Sequence, residues 1–131
     1  MKKDIEIPIV EGVSIAVIKE WNPEYEMDDW NAYIVNENDK AIEAVMIVTQ
    51  GFSSEKKTSK FRHMLGTVNA KSALKIELIQ ERVLSFRNEF SVTYFLDNKL
   101  FDKKYVFRQN TINERALQKI PYLKFKGVLV K

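Results

Sequence analysis

The stretch from Phe90 to Phe107, FSVTYFLDNKLFDKKYVF, leaves this chain little choice but to fold on itself as a β-hairpin. Two aromatic-rich runs flank a short polar break, Asp97-Asn98-Lys99. With Asn98 and Lys99 as the central residues of a tight turn, Asp97 faces Leu100 and Leu96 faces Phe101. Val92 then meets Tyr105, Phe90 meets Phe107, and only Tyr94 faces a charged residue, Lys103. These side chains project from one face, because side chains alternate along a strand. The other face takes Ser91, Thr93, Asp102 and Lys104, with Phe95 and Val106 as exceptions. A three-residue turn would set Val92 against Lys104 and Tyr94 against Asp102, so the apolar pattern selects the two-residue turn. Asn98 suits a positive φ, and Lys99 suits it less well than glycine would.

A chain of 131 residues is expected to form one domain, spanning 1–131. It can bury roughly two-thirds of its unfolded surface and needs no metal or disulfide staple. It has no cysteine, which excludes disulfides, thiolate metal sites and cysteine nucleophiles together. The opening MKKDIEIPIVEGV interrupts each apolar run with Asp4, Glu6, Pro8 or Glu11. It reads as neither a signal peptide nor a membrane span, and the expectation is a soluble cytoplasmic protein. The net charge of +3 conceals an asymmetry. Residues 1–50 hold eleven acids and four bases, whereas residues 51–131 hold seven acids and seventeen bases. A basic half can mark an acidic or nucleic-acid partner, but the preferred reading is that the two halves lie against each other in one fold and neutralise locally.

Along the chain, residues 4–9 and 13–21 read as strands around Glu11-Gly12. Val13, Ile15 and Val17 share one face, while Ala16 and Ile18 make the other nearly as apolar, as in a strand covered on both sides. Pro23 marks an edge or loop in EWNPEYEMDDW. Residues 30–36 and 41–49 read as strands joined by the polar turn NENDK and paired antiparallel. Residues 51–67 form a long, irregular connection whose later part pairs at a sheet edge. Residues 70–81 have a helical composition, yet Leu74, Ile76 and Leu78 alternate with Lys75 and Glu77, which selects a strand. Residues 82–96 and 100–108 are the hairpin arms. Thr111-Ile112-Asn113-Glu114 fits a capping box that opens a short helix ending before Pro121. Residues 123–130 close the chain as a strand. The sum is an all-β fold: an antiparallel two-layer β-sandwich or curved barrel-like sheet of about eight strands, with one short C-terminal helix.

Chemistry-bearing constellations are sparse. His63 is the only histidine, so no two-histidine metal site can form and spacing supports no Ser–His–acid triad. No catalytic, cofactor-binding or metal-ligating set is expected. Lys56, Lys57, Lys60, Arg62 and His63, with Phe52 and Phe61, make a basic loop that could contact nucleic acid or another partner. Glu24, Glu26, Asp28 and Asp29 lie among Trp21, Tyr25 and Trp30. The acids suit protection of an open edge, and the three aromatics are candidate interface anchors.

Phe86-Arg87-Asn88-Glu89 resembles the FRxE element of class II aminoacyl-tRNA synthetases. There the arginine meets the adenylate phosphate and the acid helps to place ATP. The glycine-rich third motif is absent and the chain is far too short for that catalytic domain, so no synthetase activity is expected. The combination of KEWN at residue 19, FRHM at 61, AKSALKIELIQ at 70, NEFSVTYFLDNKLFDKKYVF at 88 and the terminal GVLVK resembles a small bacterial β-rich family along essentially the whole chain. Some of its members carry a phenylalanyl-tRNA synthetase alpha-subunit label. The resemblance implies the β-rich fold and brings no site residues with it.

The reading that follows is a non-catalytic binding or protein-interaction module, a homodimer if exposed apolar residues such as Phe95 seal a subunit interface. RNA or tRNA binding through the basic loop, with Lys103, Lys104 and Arg108, is the alternative. An enzyme built on acids, Arg87 and tyrosines stands third.

Overall fold

Period-two alternation becomes, in the computed structural model, which describes residues 8–131, eight strands. They are β1 Val13–Asn22, β2 Met27–Asn36, β3 Ile42–Phe52, β4 Phe61–Val68, β5 Ser72–Leu78, β6 Arg87–Leu96, β7 Lys99–Phe107 and β8 Gly127–Val130. One sheet is ordered β5-β2-β1-β8 and the other β4-β3-β6-β7, with neighbouring strands antiparallel throughout. The fold is an all-β sandwich of two open sheets, not a closed barrel. Of the first expected strand, residues 4–7 lie outside the described residues, and Pro8 and Ile9 carry no strand.

The hairpin forms with a two-residue turn, but one position earlier than expected. Leu96 pairs with Lys99, Tyr94 with Phe101 and Phe90 with Tyr105. Asp97 and Asn98 are the central residues, with φ of 51° and 61°. Both tolerate the left-handed region, where lysine is less at ease, and the primed turn matches the twist of the strands. The pairing moves by two residues overall, so every side chain keeps its expected face. Phe90, Tyr94, Tyr105 and Phe107 are fully buried, with Phe90 edge-on to Phe107 at 5.6 Å and Tyr94 stacked on Phe101 at 5.1 Å.

β1 is covered on both faces, as its composition requires. Val13, Ile15 and Val17 enter the core between the sheets. Ala16 and Ile18 meet Val35 and Ile120 in a second cluster, on the other side of the sheet. The chain after β7 builds that cover, and Gly127 lets β8 lie close to β1: a Cβ there would stand 2.6 Å from the Val17 carbonyl oxygen.

Four expectations are corrected. The C-terminal helix is absent; a single 3-10 turn, Glu114–Ala116, stands in its place. Asn113, not Thr111, caps it by accepting from the Arg115 N–H at 2.9 Å. Thr111 donates instead to the Arg108 carbonyl, and Glu114 bonds Lys19 across the molecule. Second, the last strand is only Gly127–Val130, although Leu123 and Phe125 still pack with Leu129. Third, the arm expected from residue 82 starts at Arg87, after a 3-10 turn at Glu81–Val83. Fourth, β3 does not pair with β2 but crosses to the other sheet. Buried Asn36 organises that corner, donating to the carbonyls of Lys40, Val68 and Asn69 and accepting from Asn38. Loop carbonyls that would otherwise be stranded are thereby satisfied.

Candidate functional site

The edges of the two sheets formed by β4 and β5 face each other at one end of the sandwich, and the polar residues collect there. Thr49 and His63 lie on the inner side of their strands: Thr49 continues the core row Val45 and Ile47, and His63 pairs with Ile47. Glu77 reaches the same point because β5 is bulged. Tyr33 pairs with Lys75 but Ala32 pairs with Glu77, so Ile76 is an extra residue. Regular alternation would put Glu77 on the outer face beside Lys75. The bulge turns it inward to the side of Ala32, and Ile76 is still buried in the core.

Glu77 Oε1 accepts the Thr49 hydroxyl at 2.9 Å and lies 2.5 Å from His63 Nε2. One carboxylate oxygen thus ties β3 and β4 of one sheet to β5 of the other. Among the described residues, no partner meets His63 Nδ1. The carboxylate is the central member of this trio, so the Thr49 hydroxyl donates its hydrogen bond to the acid and not to the histidine.

These groups border a cavity of about 550 Å³. Ile79, Val83, Phe86 and Phe90 give it an apolar floor. Its walls are held by hydrogen bonds from the strands. Gln50 Nε2 donates to the Thr58 carbonyl at 2.8 Å, and the Gly51 N–H donates to the Thr58 hydroxyl at 2.8 Å. On the other side, buried Asn88 donates to the carbonyls of Val83 and Phe86. Lys56, Lys57 and Arg82 stand at the mouth. Glu89 also borders the cavity, paired with Arg87 and Lys104. Burial works to raise its carboxyl, but the hydrogen bonds and charges of Lys104 and Arg87 outweigh it and hold it below 4.5.

The structure divides the basic cluster read from the sequence. Lys56, Lys57 and His63 border the cavity, with Phe61. Arg62 points to the outer face, in a row with Val48, Ser91 and Lys104, and Lys60 is exposed away from the cavity lining. Trp21 and Tyr25 are exposed at the tip of the β1–β2 hairpin, whereas Trp30 packs on the core, with the Lys19 ammonium 6.0 Å from its ring. That tip overhangs its neighbours: β8 pairs β1 only over Ile15–Ile18, and β5 pairs β2 only from Asn31. Its acids therefore border open ribbon edges. Among the described residues, none of Glu24, Glu26, Asp28 and Asp29 forms an ion pair with the 56–63 loop. Phe95 and Leu100 are cross-strand partners on the outer face and are both exposed. Arg87 and Glu89, the charged pair of the FRxE-like element, bond each other.

Thr49, Glu77 and Arg82 were not singled out by the sequence. Thr49 had a signal, a polar residue in an apolar strand row; Glu77 had none, since alternation hides it. Among the described residues no helix is long and apolar enough to cross a membrane, and no cluster of three or more His, Asp or Glu could hold a metal ion. No protein-family model, curated protein or solved structure matches the chain.

Proposed function

We propose that this protein is a non-catalytic binding module of the cytoplasm that receives a small ligand in the cavity between β4 and β5. The observation that carries the reading is the inward-turned Glu77, a charged side chain that a regular strand would have left in solvent. The bulge places it with His63 and Thr49 beside an apolar floor. Convergent polar groups over an apolar, partly enclosed volume are the usual make-up of a small-molecule site, and about 550 Å³ lies within the usual range. The order of the trio does not form a hydroxyl–imidazole–acid relay, because the Thr49 hydroxyl and His63 each meet the carboxylate and not each other. The nucleic-acid alternative is not favoured, because its cations are split between the cavity mouth and the outer face.

The test is a two-dimensional amide NMR screen with small organic fragments. Binders of about millimolar affinity or better should shift the amides around Thr49, His63 and Glu77. Hits scattered over the outer faces, or none, would remove the reading. An esterase or other turnover abolished by His63→Gln would overturn its non-catalytic part.

A further inference from the structure

The charges around this cavity do not balance. Its two acids are each engaged, Glu77 by His63 and Thr49, Glu89 by Arg87 and Lys104. Its three mouth cations are not: among the described residues, Lys56, Lys57 and Arg82 have no carboxylate within 4.0 Å. Among the described residues, Arg82 makes one side-chain hydrogen bond, from Nε to Gln80 Oε1 at 3.1 Å, and none of them takes a bond from its terminal nitrogens. The three come from two separate walls, the loop after β3 and the turn after β5. Below them lie Phe86, Val83 and Ile79. A ligand seated here has an apolar body against that floor and its polar end at a ring of unpaired positive charge.

We infer that the cavity selects small organic anions, an aromatic or short aliphatic body carrying a carboxylate or phosphate. This rests on the binding-module reading and adds the ligand's charge to it. A planar guanidinium with free terminal nitrogens suits either oxyanion, and two flexible ammonium groups can close over it. A neutral or cationic body of the same shape would gain the floor and lose the mouth.

The experiment uses the full chain and three naphthalenes of nearly equal size: 2-naphthoate, 2-naphthalenemethanol and 2-naphthylmethylammonium. Affinities are measured by amide NMR titration. Naphthoate should bind about tenfold or more tightly than the other two, the scale of one charge-assisted hydrogen bond. The triple variant K56Q/K57Q/R82Q changes only exposed side chains. It should lose that preference while keeping the affinity for the alcohol. Equal affinity for all three compounds overturns the anion inference and leaves the binding-module reading standing. Naphthoate preference that survives in the triple variant overturns the assignment to these cations. No binding of any compound near Thr49 and His63 overturns the binding-module reading itself.

Discussion

Tyr94 and Tyr105 occupy the inner face of neighbouring strands, both about 1% exposed, and differ by one hydrogen bond. The Tyr105 hydroxyl donates to the Val13 carbonyl at 2.7 Å, joining the two sheets; among the described residues, the buried Tyr94 hydroxyl has no partner. A buried polar group without a partner costs more than its bond would return. Tyr94→Phe should therefore stabilise the protein by about 1 kcal/mol, whereas Tyr105→Phe should destabilise it by about 1–2 kcal/mol. Urea unfolding of the two variants checks this, and equal effects would contradict the contrast. Neither difference was legible in the sequence, where both tyrosines are the same bulky residue on the same face. Partners are decided by what lies across the sandwich.

At the scale of elements, hairpin faces were legible and hairpin register was not. Alternation specifies the face of every residue, and a two-residue slip leaves all faces unchanged, so hydrophobic pattern alone cannot detect it. Turn chemistry makes the choice, through two adjacent residues at positive φ. Asn98→Val should cost about 1–2 kcal/mol, because a β-branched residue is forced into the left-handed region. Lys99→Val should change stability by less than about 0.5 kcal/mol, since Lys99 is an exposed strand residue paired with Leu96. Thermal unfolding separates the two, and a larger loss at Lys99 would restore the register centred on Asn98-Lys99. The bulge in β5 is the other element hidden from pattern. Alternation of Leu74, Ile76 and Leu78 identified the strand, yet the same alternation assigned Glu77 to solvent. The extra residue exists only against β2, so half of the candidate site depends on a pairing between distant segments.

For the whole molecule, the phenols of both sheets act together under alkali. Burial raises Tyr33, with the Glu20 hydrogen bond adding to it; burial raises Tyr105 as well and pushes Tyr94 up to about 12. Unfolded, each ionises near 10.0. Below that pH both states keep the proton and the contribution to stability is complete. Above it the unfolded chain releases protons that the folded chain retains, so stability falls as pH rises through the folded values. For a fully buried phenol the slope approaches about 1.4 kcal/mol per pH unit. Urea midpoints should drop steeply between about pH 10 and pH 11, and less so in Tyr94→Phe; a flat profile would refute the linkage. The sequence by itself determined the fold class, the face of nearly every strand residue and the double cover on β1. Those are local consequences of alternating solvent contact, which each strand carries within its own residues. Only the tertiary structure decided which strands share a sheet, that residues 111–119 stay largely unwound, and that Thr49, His63 and Glu77 meet. Those depend on contacts between residues far apart in the chain, where one bulge or one buried asparagine redirects what alternation alone would send elsewhere.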